Sequence, residues 1–310
     1  MTVVVVGESL IDVVVDIEGD TVVEAVGGSP LNVALALARL EVPAVLITQT
    51  GHDEYGGRIA DRLTGSGTEL VRVPTSSGRT ATATARLAAD GSASYVFDLD
   101  WSLPHQELPA CDVLHVGSLG ATLEPGRDSV LDLVDQAYAR GVFVSYDPNV
   151  RPHFVDDRRS TWRDLEALAD RAQLVKLSEE DVEALHPGAD PGDIARSLLS
   201  GERTELVLLT RGGEGASAYA VSGSAELVVD LHAPPTTLVD TIGAGDAFMA
   251  GALAVLLEAG AVGDFGAGMP DTEDSLEHLL QAAMQVASVT CSRRGAEPPT
   301  RSELPEGWPG

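Results

Sequence analysis

Lysine occurs once in these 310 residues, at Lys176, and cysteine twice, at Cys111 and Cys291. A Walker-type phosphate loop needs a lysine directly after its glycine-rich turn. Lys176 instead sits in the apolar run Leu174-Val175-Lys176-Leu177, which excludes that device. Two cysteines far apart in sequence fit a reducing compartment and argue against a disulfide framework or thiol catalysis. No window approaches the ~20 consecutive apolar residues of a membrane helix. The opening apolar run, Thr2 to Val6, is too short for a signal peptide and follows no basic segment. Positive charge is scarce throughout: 20 basic against 48 acidic side chains leave a formal net charge of -28. Such a surface repels nucleic acid and anionic membranes and aids solubility. Together these absences predict a cytoplasmic protein with neither nucleic acid nor membrane as a partner. The seven histidines show no metal-ligand spacing. A Gly-x-Gly-x-x-Gly turn between the first strand and helix is also missing, which argues against a Rossmann dehydrogenase.

What is present is an alternation of β-branched runs with alanine- and leucine-rich runs. Strands are predicted at Val3–Val6, Ala44–Thr48, Val113–Val116, Val142–Tyr146, Leu174–Leu177 and Leu206–Thr210. Helices are predicted at Leu31–Leu40, Gly56–Leu63, Ser129–Arg140, Glu179–Leu185, Ala247–Ala259 and Leu276–Cys291. This order implies a mainly parallel sheet covered on both faces. Two segments break it. Asp12–Val26 alternates around a turn at Glu18-Gly19-Asp20, and Ala81–Asp98 is strand-like on both sides of Asp90-Gly91, a hairpin signal. Too short for crossovers, they read as a small projecting sheet and a candidate lid, with an edge hairpin as the alternative. The tail from Pro298 is expected to run over the surface.

The most informative stretch is Leu238-Val239-Asp240-Thr241-Ile242-Gly243-Ala244-Gly245-Asp246-Ala247-Phe248. Gly243, Ala244 and Gly245 can present backbone N–H groups without side-chain obstruction, and the helix that follows adds its positive dipole end. Asp246 lies where it could take a proton from an incoming hydroxyl. An anion hole and a base in one turn suit phosphoryl transfer to an alcohol. A second glycine-bearing segment, Gly27-Gly28-Ser29-Pro30-Leu31-Asn32, lets a backbone approach a polyhydroxylated ligand. Asn32 offers both donor and acceptor to vicinal hydroxyls, or alternatively caps its helix. Asp12 is an acceptor where open α/β sheets bind ligands.

These two stretches resemble the N- and C-terminal signatures of the PfkB, ribokinase-like carbohydrate kinases. Three matches lie between them in the family's order: Asp147-Pro148-Asn149-Val150-Arg151, Lys176-Leu177-Ser178-Glu179-Glu180-Asp181 and Thr210-Arg211-Gly212-Gly213-Glu214-Gly215. The resemblance extends to about Ala296. It implies one kinase domain over residues 1–310, a ribokinase-like three-layer α/β sandwich, with a lid formed by inserts 12–26 and 80–99. It implies ATP and Mg²⁺ as cofactors, and sugar contacts at Asp12, Gly27, Gly28, Asn32, Asn149 and Arg151. Arg151 could instead form a structural ion pair with Asp147 or Asp156.

The same resemblance gives Lys176, Ser178, Thr210, Gly212, Gly215 and Met284 to the nucleotide. Asp181 would act on Mg²⁺ through water, although serine and aspartate stand where the family has asparagine and glutamate; a plain acidic helix start is the alternative. Asp240, with backbone carbonyls near Ile242 and Gly295, is offered for a monovalent cation such as K⁺. Dimerisation through the projecting sheet is a further implication. Asp147-Pro148-Asn149-x-Arg151, Lys-x-Ser and Tyr95-Val96-Phe97 look like fructokinases. Asp98 would repel the carboxylate of 2-keto-3-deoxygluconate. Fructose is therefore the expected substrate, the keto-deoxy acid second, and ribose or a nucleoside third. A non-catalytic sugar or nucleotide sensor on the same fold is the alternative from another class.

Overall fold

In the computed structural model, which describes residues 1–15, 22–87, 93–199, 203–223, 225–262 and 269–309, the first strand β1 (Val3–Val6) lies inside a nine-stranded sheet. It is followed by β2 (Leu10–Val15), β3 (Val22–Gly27), α1 (Ser29–Arg39), β4 (Ala44–Thr50), α2 (Glu54–Ser66) and β5 (Glu69–Pro74). Next come β6 (Ala81–Leu87), β7 (Ala93–Asp98), β8 (Val113–Gly117), α3 (Gly126–Arg140), β9 (Phe143–Asp147) and α4 (Arg158–Ala169). β10 (Leu174–Ser178), α5 (Glu179–Leu185), α6 (Pro191–Leu198), β11 (Leu206–Thr210), β12 (Ala216–Ser222), β13 (Ala225–Leu231), α7 (Ala244–Glu258) and α8 (Glu273–Cys291) complete the order.

The large sheet runs β13-β12-β11-β10-β9-β8-β1-β4-β5. Its pairings are parallel from β5 through to β11, and antiparallel for β11–β12 and β12–β13. The strand pleat divides the core in two. Val3 and Val5 pack with α1, α2, α7 and α8, whereas Val4 and Val6 pack with α3, α4, α5 and α6. This is the three-layer α/β sandwich expected. Strand order reverses beside β1, between β4 on one side and β8 on the other, and ligands of open α/β sheets bind at such a reversal, outside the carboxyl ends of the strands.

The two irregular segments meet in a separate four-stranded sheet, β3-β2-β6-β7, joined by a parallel pairing of β2 with β6. They are not an edge hairpin of the large sheet. The turns read at Glu18-Gly19-Asp20 and Asp90-Gly91 lie outside the described residues. The tail corrects its expectation: Leu304 and Trp308 are buried, and the Trp308 Nε1 donates to the Ala282 carbonyl at 3.1 Å. An indole with a partner for its N–H buries more apolar area than any exposed path would. No helix among the described residues is long and apolar enough to cross a membrane.

α7 is buried from Asp246 to Leu257, and α1 and α8 pack on it. A helix apolar all round belongs inside, so the carboxylate in its first turn is the exception to be explained.

Candidate active site

Gly243 caps α7 in the left-handed region, φ 75, and a Cβ there would lie 2.7 Å from the Ala296 Cβ; glycine is required at this corner. The amides after it are not equivalent. Ala244, counted from sequence among the open N–H groups, donates to the Thr241 carbonyl at 3.2 Å and closes the turn. Gly243, Gly245 and Asp246 N–H meet no acceptor among the described residues. Of the three amides read from the sequence, Gly243 and Gly245 stay open, and that of Asp246 takes the place of Ala244.

Asp246 is 6% exposed, and both its oxygens are held. Ser29 Oγ donates to Oδ1 at 2.6 Å and Asn32 Nδ2 donates to Oδ2 at 2.8 Å. Desolvation lifts the carboxyl above the ordinary aspartate range, while those two hydrogen bonds and the Lys176 charge pull it back and Asp147 adds to the rise. Asn32 does not cap α1. Gly28 is the cap residue, and the Asn32 Oδ1 is buried with no hydrogen-bond partner among the described residues. That oxygen is an acceptor beside the Asp246 carboxylate.

Beneath the turn, Lys176 and Asp147 form a buried ion pair, Nζ to Oδ2 2.8 Å. Burial works to strip the ammonium of its proton, but Asp147, Asp181 and Asp246 outweigh it and hold the charge above the ordinary lysine range. Lys176 Nζ lies 3.3 Å from where a Gly245 Cβ would stand, so it backs the anion turn. Asp147 takes Lys176, which removes it as the partner considered for Arg151. Its Oδ1 is buried without a partner. Asp181 closes a capping box with Ser178 and accepts the Val150 N–H at 2.6 Å, pinning the Asp147–Arg151 segment to α5. Desolvation raises its pKa against the opposing Lys176 charge.

The opposite wall is acidic. The Asp12 carboxylate lies over Gly27, where a Cβ would strike it, and desolvation raises its pKa while Arg151 lowers it. Glu8, not singled out in the sequence, is buried and, like Asp12, feels the charge of Arg151. Its Oε2 accepts the Gly120 N–H at 2.7 Å, and desolvation pushes it up to about 7 in spite of that bond, Ser118 and Arg151. Gly28, at φ 112, lets the chain pass over Glu8: a Cβ there would lie 2.5 Å from the Glu8 carbonyl. Ser118 and Asn149 adopt positive φ, 52 and 40, and line a cavity of about 90 Å³ with Tyr146, Arg151 and Phe154. Phe97 of β7 packs edge-on against Phe154, ring centroids 4.9 Å apart, and joins the small sheet to this wall.

Thr210 stands beside Ser178 in the sheet register, while the other expected residues make no hydrogen bond to this centre among the described residues. Asp240 accepts the N–H groups of Ile242 and Gly295 at 3.1 and 2.8 Å, the Gly295 bond doing most to hold it below the usual aspartate range. Thr210 ends β11, and Gly212 and Gly215 flank the short turn before β12. Met284 is packed in the core of α8 with 7% of its surface exposed. Asp98 pairs with Arg79 at 3.0 Å on the surface. A wider groove of about 880 Å³, lined by Arg158, Trp162 and Arg163, carries none of these residues. No group of three or more His, Cys, Asp or Glu among the described residues is placed to hold a metal ion directly.

Comparison with known proteins places a name on this class of site. Residues 1–303 match the pfkB family carbohydrate kinase profile. The chain is 31% identical to fructokinase-1 of Oryza sativa subsp. japonica over 96% of its own length and 94% of that protein. It is 30% identical to a fructokinase of Salmonella typhimurium, covering 94% of each. Among solved structures, a fructokinase of Xylella fastidiosa superposes with a TM-score of 0.79 at 27% identity, covering 97% of this chain and 96% of that one. A sugar kinase of Pyrococcus horikoshii in complex with ATP gives 0.80 at 24% identity over 100% and 98%. The chain belongs to the pfkB family of carbohydrate kinases and is a sugar kinase.

Proposed function

We propose that this kinase phosphorylates a primary hydroxyl of a neutral hexose, fructose first, at the expense of ATP. The observation that carries the mechanism is Asp246, buried at the start of α7 with both oxygens fixed by the first turn of α1. Asp246 accepts the proton of the attacking hydroxyl. The N–H groups of Gly243, Gly245 and Asp246, at the positive end of α7, receive the charge of the group in transit. ATP with Mg²⁺ supplies that phosphoryl group and neutralises its charge. The donor set fits: open amides and Lys176 behind Gly245 suit phosphate, and the unpartnered Asp147 Oδ1 with Asp181 suits a hydrated cation. Thr210, Gly212 and Gly215 would border the nucleotide, and Asp240 would serve a monovalent ion.

On the acceptor side, Asp12, Asn32 Oδ1, Asn149 and Arg151 hold the sugar. Asp12 and the partly ionised Glu8 offset the single Arg151 and leave no surplus positive charge to hold a sugar acid, which favours a neutral sugar. Relatives named fructokinase support the choice of hexose. The small sheet, inserts 12–26 and 80–99, acts as a lid that excludes water and limits hydrolysis of ATP. By the strand register its exposed Val14, Val23 and Tyr95 share one side of the sheet, an apolar face for a second copy. The test is ADP release with ATP, Mg²⁺ and a panel of fructose, glucose, ribose, 2-keto-3-deoxygluconate and a nucleoside. Fructose is expected to give the highest kcat/KM; preference for the sugar acid would overturn the substrate, and no turnover on any member would favour a sensor.

A further inference from the structure

We infer that Ser29 is a positioning residue for the base: its hydroxyl fixes one oxygen of Asp246 and sets the pH at which that carboxylate works. This rests on Asp246 being the general base, as proposed above. A serine at the start of a helix ordinarily serves its own backbone, accepting an N–H two or three residues on. Ser29 does not. It is the first residue of α1, the cap position belongs to Gly28, and no side chain caps that end. The Ser29 hydroxyl is buried and instead spans 217 positions of sequence to donate to Asp246 Oδ1 at 2.6 Å.

The geometry gives Ser29 a task that Asn32 cannot share. Asn32 Nδ2 holds Oδ2 while its own Oδ1 is left for a ligand hydroxyl, so Asn32 is a substrate contact as well as a support. Among the described residues the Ser29 hydroxyl bonds only to Asp246. Two donors on two different oxygens fix the rotation of the carboxylate plane; one donor leaves it free to turn. Each donor also stabilises the charged form, so its loss makes the carboxyl harder to ionise. The charged groups facing Asp246 are Asp147 at the end of β9 and Lys176 of β10, which act in opposite directions. α1 brings Ser29 and Asn32, and α8 meets α7 further along, at Gly251, through Ala283 and Val286.

The experiment compares wild type, Ser29→Ala, Ser29→Thr and Asp246→Asn. kcat and KM are measured from pH 5 to 9 on the best sugar of the panel, and the Asp246 carboxyl is titrated by ¹³C NMR without sugar, its signal assigned by its loss in Asp246→Asn. Ser29→Ala is expected to lower kcat about tenfold or more with KM for the sugar within about twofold. The acidic limb of kcat and the NMR midpoint should both rise by about one pH unit or more, since the base is active only as the carboxylate. Ser29→Thr, which keeps the hydroxyl, should restore both. A lost structural contact would lower the melting temperature without moving either midpoint. An unmoved NMR midpoint in Ser29→Ala, with Asp246→Asn inactive, overturns the role of Ser29 and leaves the base standing. Near-normal turnover by Asp246→Asn overturns the base itself, and this inference with it, whatever the NMR reads.

Discussion

The two walls of the site are both rich in carboxylates but are built on opposite terms. On the phosphate side, Asp246, Asp147 and Asp181 are buried and each is tied to named donors: Ser29 and Asn32, Lys176, and Ser178 with Val150. On the acceptor side, Asp12 is tempered chiefly by the charge of an exposed Arg151, and Glu8 keeps one strong backbone bond but is pushed up to about 7. The first wall holds its charges in place, as a reaction that must not reorganise requires. The second tolerates neutralisation and leaves room for a ligand. Under the proposed function, the contrast assigns the chemistry and the choice of sugar to different parts of the fold.

Four substitutions would break or sharpen that contrast. Asp246→Asn should cost the most, lowering kcat by ~10²–10⁴-fold in steady-state assays. Lys176→Met leaves Asp147 as an unpaired buried charge, and urea unfolding should report a loss of about 3–5 kcal/mol. Glu8→Gln should act with the reverse sign. A carboxyl whose folded pKa is raised to about 7 from 4.5 contributes stability below pH 4.5 that is lost as pH climbs through 7. The amide escapes that loss and still accepts from Gly120, so the variant should be more stable than wild type by about 1–3 kcal/mol at pH 8, with little difference at pH 4; equal melting curves at both would refute the burial argument. The smallest effect on stability belongs to Phe97→Ala in the small sheet. It should raise KM for the sugar several-fold while the melting temperature moves by a degree or two, because the ring packs on Phe154 at the rim rather than in either core.

Much of the architecture was legible in the sequence, and the gaps have physical causes. The buried parallel strands are continuous apolar runs and were read close to their observed limits. α4 was passed over because Arg158 to Ala169 buries only Leu165, Leu168 and Ala169, too thin a stripe to mark a helix. β12 gives a weak signal because alanine and serine carry no strong strand preference, whereas β13 holds Leu227-Val228-Val229, a strand signal the sequence reading does not use. Within the site, Asp246, Asn32 and Asp12 stood out as carboxylate or amide among small and apolar residues. Glu8 offered the same signal, a lone charge between Val3–Val6 and Leu10-Ile11, and was overlooked. Ser29 offered none, since a serine before a helix reads as a cap.

Sequence by itself determined the family, the strand–helix alternation, and the glycine turn that ends in Asp246, because these depend on residues close together in the chain. Tertiary structure alone decided which amides of that turn stay open, that Asp98 pairs with Arg79, and that Ser29 and Asn32 reach across the fold to the base. Those outcomes depend on burial and on partners more than 200 residues apart in the last case. Local spacing carries no record of either.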